Sequence, residues 1–84
     1  MKETRVFDLR HKYLVEQAIE YLSKVVFGHW KMKPIFSLEQ EGDNLLFIVE
    51  LDCEQNEAIN QATDNSYCFI QGYLIAKGIS SDEV

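Results

Sequence analysis

Leu45-Leu46-Phe47-Ile48-Val49 is an unbroken run of five apolar residues, preceded by Glu41-Gly42-Asp43-Asn44 and followed by Glu50-Leu51-Asp52. A short apolar run between turn residues predicts a strand, and a strand apolar on both faces is ordinarily buried on both. In a chain of 84 residues, of which 46% are hydrophobic, the other segments supply one covering layer. The second cover is expected from another chain. This length allows one small domain. Such a chain buries only about 60% of its unfolded surface, which leaves it marginally stable and inclined to recruit a second subunit.

The neighbouring segments predict what surrounds that strand. Arg5-Val6-Phe7-Asp8-Leu9 alternates, with Phe7 and Leu9 on one face and Val6 and Asp8 on the other, which predicts a first strand. From Lys12 the period becomes helical. Leu14, Ala18, Tyr21, Leu22 and Val25 make one stripe, while Glu20 and Lys24 form a favourable i,i+4 pair. The helix is expected to end between Val26 and Gly28, ahead of Pro34. Residues 34–40 and 45–51 then read as a hairpin. Its turn is either a two-residue Gly42-Asp43 turn that wants glycine first, or a four-residue loop over 41–44. Either pairs Ile35 with Glu50 and puts Phe36, Leu38, Leu45, Phe47, Val49 and Leu51 on the core face. Asp52, with Gln55 three residues on, resembles a capping box. The stripe Ile59, Ala62, Ser66, Phe69, Ile70, Tyr73, Ala76 predicts a second helix with Gly78 at its C-terminus. Thr63-Asp64-Asn65-Ser66 favours a bend or break in it.

The expected fold is therefore α+β, a two-layer β-α-β-β-α domain. Its three-stranded, mainly antiparallel sheet has strand order 2-3-1 and carries both helices on one face; the mixed order 1-2-3 is the alternative. Residues 1–84 form a single domain, with a core over about 4–78 and a flexible acidic tail over 79–84.

Charge excludes one large class of function. The net charge is −6 with Lys and Arg together numbering 8, which argues against nucleic-acid binding by a basic patch. The charge is unevenly distributed, +3 over residues 1–33 and −9 over residues 34–84. Folding mixes the two regions on one surface, or leaves a polar molecule that docks by charge complementarity. Met1-Lys2-Glu3-Thr4-Arg5 carries charge but no apolar stretch of the signal-peptide kind follows it. No run approaches the roughly 18 apolar residues of a membrane span. A cytoplasmic setting is expected, with Cys53 and Cys68 as reduced thiols.

Motifs for chemistry are sparse. Cys53, Cys68, His11 and His29 are the whole supply of Cys and His, with none of the spacings of a structural zinc site. Neither a metal nor a cofactor is expected, and Cys68 is expected to pack as a small apolar residue. Asp8-Leu9-Arg10-His11 sets a carboxylate near an imidazole, but general-base work also needs a nucleophile or a pocket beside the pair. Ser37, Ser80 and Ser81 lie in no Gly-x-Ser-x-Gly elbow, and the four glycines stand singly rather than in a phosphate loop. No catalytic residue is assigned, and the chain is not expected to be an enzyme.

The outward face of the sheet carries the functional signal. With the helices on the inner face, Val6, Ile35, Leu46 and Ile48 point outward beside Ser37, Glu39 and Glu50, where a two-layer sheet is ordinarily polar. A clustered apolar patch of this kind marks an interaction surface. Trp30 follows the first helix, as a binding anchor or as a lid on the edge of the core. The expected interface is Val6, Trp30, Ile35, Leu46 and Ile48, with Glu39 and Glu50 setting orientation.

Two segments also carry a family likeness. Tyr13-Leu14-Val15-Glu16-Gln17-Ala18-Ile19 resembles the first-helix opening of the small D proteins that accompany radical-SAM enzymes in His-Xaa-Ser repeat peptide systems. Phe69-Ile70-Gln71-Gly72-Tyr73-Leu74-Ile75-Ala76-Lys77 resembles their closing helix, sharing Tyr73 and departing at Gly72 and at Ala76-Lys77. The likeness implies an accessory role beside an enzyme and a peptide substrate.

Three functions are open. The first is a non-catalytic adaptor subunit that assembles through the outer sheet face, as a homodimer or with a protein partner. The second is an accessory of a peptide-modifying system that presents a peptide by strand addition. The third is a small acidic inhibitor using residues 39–57, whose binding would fall steeply with salt. Nucleic acid and membrane are not expected partners.

Overall fold

A computed structural model describes residues 1–28 and 33–84. Its elements are β1 (Lys2–Asp8), α1 (Lys12–Tyr21), β2 (Ile35–Glu41), β3 (Asn44–Glu50) and α2 (Asn56–Ala76). The sheet has order β1-β3-β2 and both pairings are antiparallel, so the doubly apolar segment is the central strand. α2 lies against β1 and β3, and α1 packs on α2. The buried helix residues Val15, Ala18, Leu22, Ile59, Ala62, Ile70 and Leu74 join Phe7, Leu45, Phe47 and Val49 in one core.

The hairpin turns through Gly42-Asp43, with Glu41 opposite Asn44. Gly42 has φ +61, and among the described residues positive φ is confined to glycine. That is the two-residue turn with glycine first, whose twist matches the strands it joins. Phe47 fills the middle of the core, edge-on to Phe7 with ring centroids 6.0 Å apart and stacked on Phe36 at 5.6 Å. Phe36 and Leu38 are only half-buried, because β2 lies at the edge of the sheet, away from α2.

Several elements differ from the expected ones. β1 begins at Lys2, three residues early, and Leu51 N–H donates to Met1 O at 2.9 Å beyond its end. Pairing with β3 extends it through Lys2-Glu3-Thr4, which carry no alternation. The helical face of α1 is rotated from the expected stripe: Val15, Ala18 and Leu22 are buried, whereas Tyr21 and Val25 are exposed. After Tyr21 the helix widens over Leu22–Val26, and Phe27 N–H donates to Leu22 O at 2.9 Å, five residues back. This π-type turn swings Phe27 under the sheet against Phe36, with rings 5.8 Å apart.

Asp52 does not cap α2. The N-cap is Gln55, with no side-chain hydrogen bond. Nor does the Thr63–Ser66 segment break the helix. Thr63 Oγ1 donates to Ile59 O and Ser66 Oγ to Ala62 O, both at 2.7 Å and both buried. Returned to their own helix, the hydroxyls are satisfied without opening it. At the far end Gly78 has φ +98. Gly78 N–H donates to Ile75 O and Ile79 N–H to Leu74 O, each at 3.0 Å, the paired bonds of a Schellman cap. Ile79 and Val84 then pack against the core.

Candidate docking face

The two ladders arrange the outer face in four cross-strand rows, β1 then β3 then β2. They are Lys2, Glu50, Ile35; Thr4, Ile48, Ser37; Val6, Leu46, Glu39; and Asp8, Asn44, Glu41. Val6 is 50% exposed and Ile35 64% exposed, with Leu46 and Ile48 half-buried between them. These four residues form a diagonal stripe from the lower part of β1 to the upper end of β2. Both helices lie on the opposite side, so none of the described elements covers the stripe. Off the stripe the corners differ: Lys2 stands on one side, Glu39 and Glu41 on the other, and Glu50 sits beside Lys2 in the top row.

The structure thus brings Val6, Ile35, Leu46, Ile48, Glu39 and Glu50 onto one surface. Trp30 lies outside the described residues. Lys2 and Thr4 belong to the same surface and escape sequence reasoning, because their segment shows no strand pattern. The signal that locates them is pairing: a strand opposite Leu45–Val49 has to continue opposite Glu50.

Two other polar clusters among the described residues are engaged internally. Asp8 accepts from Arg10 N–H at 2.9 Å, Arg10 Nε at 3.0 Å and Arg10 Nη2 at 2.8 Å. This caps the 3₁₀ turn Leu9–His11 that leads into α1. No hydrogen bond joins Asp8 to His11, whose Nε2 is buried without a partner among the described residues. The carboxylate and imidazole suggested by sequence are therefore not a dyad. The Arg10 side chain, then its backbone N–H, lowers the Asp8 pKa to about 2 from 3.8. Because the folded value is depressed, this capping pair stabilises the fold above about pH 4, and that contribution is lost as pH falls towards 2. An NMR titration of the Asp8 carboxyl should give a midpoint near 2, moving back up in Arg10→Ala. A wild-type midpoint at the ordinary value would remove the capping account.

A groove of about 380 Å³ between α1 and α2 is lined by Gln17, Glu20, Tyr21, Lys24, Val25 and Tyr73. Its polar groups serve one another. Tyr73 Oη donates to Gln17 Oε1 at 3.0 Å, and Lys24 Nζ to Glu20 Oε1 at 2.7 Å. The Lys24 hydrogen bond and charge lower the Glu20 pKa, which leaves that carboxylate a poor proton acceptor near neutral pH.

Arg5, facing inward on β1, pairs with Asp64 of α2 at 2.8 Å, one link between the basic and acidic halves of the sequence. Cys68 is exposed on α2 rather than packed, and Cys53 is half-buried, its Sγ 3.6 Å from Gln55 O. Among the described residues no three His, Cys, Asp or Glu side chains are placed to hold a metal ion. None of the described helices is long and apolar enough to cross a membrane. No family model matches the chain, and no match was found among curated proteins or solved structures.

Proposed function

We propose that this chain is a non-catalytic interaction subunit, working in the cytoplasm and docking through the outer face of its sheet. The observation that supports the reading is the diagonal stripe Val6–Leu46–Ile48–Ile35, apolar and left uncovered by the described elements on the central strand and both of its neighbours. Each aliphatic side chain fully buried there contributes roughly 1.5–3 kcal/mol before association costs are subtracted. The polar residues beside the stripe set orientation rather than affinity. A photo-crosslinking side chain at Ile48 tests the reading in producing cells, with the same group at exposed Gln61 on α2 as control. Adducts are expected from position 48 and not from 61. The absence of any adduct at 48 would remove the docking face.

The strand order supports a second reading. Among the described strands β2 pairs with β3 alone, so its other edge offers a row of backbone donors and acceptors to an extended peptide. An open edge of that kind supports the reading of a peptide-presenting accessory. A peptide bound there would perturb the β2 backbone amides in NMR spectra and leave Val6 and Leu46 unchanged.

A further inference from the structure

We infer that the occupant of the outer face is a second copy of this chain, related by a two-fold axis along the apolar stripe. This rests on the docking-face reading above and adds to it the partner and the arrangement. The argument starts from how charge is distributed around the stripe. Lys2 lies on one side of the diagonal with Glu50 beside it, and Glu39 lies on the other, with Asp8 and Glu41 in the row beyond. When two sheets stack face to face, a two-fold axis in the plane between them exchanges positions across that axis. An axis along the strands brings Lys2 over the partner's Ile35. An axis across the stripe brings Lys2 over the partner's Lys2 and Glu39 over the partner's Glu39. An axis along the stripe lays apolar residue on apolar residue and places Lys2 beside the partner's Glu39, twice, once from each copy. Of the three, only the last lays the apolar stripe on itself and pairs Lys2 with Glu39, while Glu50 comes to lie over the partner's Ser37.

Strand geometry fixes more of the arrangement. With strands about 4.8 Å apart and a rise of about 3.3 Å per residue, the stripe is inclined roughly 35° to the strands. Rotation about it crosses the strands of the two sheets at roughly 70°, closer to the orthogonal class of sheet packing than to the aligned one. Ile48 then meets its own copy near the axis, and Leu46 enters the gap between the partner's Val6 and the partner's Thr4. Three strands of seven residues make a face of about 330 Å², so two stacked copies bury about 660 Å² between them, well under the roughly 1,200 Å² at which stable interfaces begin. That size belongs to weak, concentration-dependent association. A second copy of an 84-residue chain matches the footprint without requiring surface beyond the sheet.

Sedimentation equilibrium with charge-reversed chains tests the arrangement. The wild type should show a monomer–dimer equilibrium. K2E alone and E39K alone should each weaken dimerisation about ten-fold at low salt, since each reverses two contacts. An equal mixture of K2E and E39K should recover the wild-type affinity, because the mixed dimer restores opposite charges at both contacts. High salt should erase the differences between variants and leave the wild-type dimer. A mixture no tighter than its separate components would overturn the arrangement. A wild type that stays monomeric at millimolar concentration would overturn the second copy as occupant. In that event an adduct at Ile48 larger than two chains would keep the docking face, and no adduct would remove both readings.

Discussion

Leu46→Glu together with Ile48→Glu should abolish association while leaving the helical circular dichroism unchanged. Both side chains stand on the outer face of the central strand, away from the core that holds α1 and α2. In the isolated domain the new carboxylates meet water. Against a covering chain they are buried without partners, which costs enough to raise the dissociation constant about 100-fold or more. Light scattering at matched concentrations reads the result, with Gln61→Glu on α2 as a charge control. Association that survives both changes would sink the sheet-face model.

The largest loss of stability should come from the opposite face of the same strand. Phe47→Ala removes a fully buried ring that touches Phe7 and Phe36, and such truncations cost about 3–5 kcal/mol. A domain of this length has roughly 4–12 kcal/mol in total. The variant should therefore lose a large share of that stability, read as a urea midpoint lowered by about 3–5 M at a slope near 1 kcal/mol per molar, or as a lost folded baseline where the wild type lies at the low end of the range. Ile35→Ala, at an exposed position, should move the midpoint little. A Phe47→Ala midpoint close to wild type would mean that Phe47 is not the centre of the core.

The two variants act on residues adjacent in sequence, and strand alternation alone is enough to separate their roles. Gly42-Asp43 specifies the turn, the turn specifies the register, and the register assigns Phe47 inward and Leu46 and Ile48 outward. The strand order is legible for the same reason, since the only run apolar on both faces belongs in the middle. Where local pattern is weak, partners decide. Lys2-Glu3-Thr4 is a strand because β3 needs a neighbour there, a condition invisible in those three residues. The Thr63–Ser66 segment stays helical because its hydroxyls return to Ile59 and Ala62, whereas propensity alone reads them as breakers. The α1 stripe is misphased from its start, since the buried positions are Val15, Ala18 and Leu22, which leaves Tyr21 outside, and Val25 falls in the widened turn at Leu22–Val26. Cys68 falls on the wet side of α2 because it lies two residues from both Ser66 and Ile70, which puts it across the helix from the buried stripe.

The placement of β1 beside β3 rather than beside β2 also governs the order of events during synthesis. β1 emerges from the ribosome about forty residues ahead of the strand it must pair with, an interval of roughly 2–8 s at ordinary translation rates. Throughout that interval it is an open template for any other strand. Its Lys2, Glu3 and Arg5 put three charges into the segment that waits, where charged side chains discourage misplaced pairing. Lys2 and Glu3, which hide the strand in the sequence, thus add charge to the edge that stays unpaired until β3 arrives.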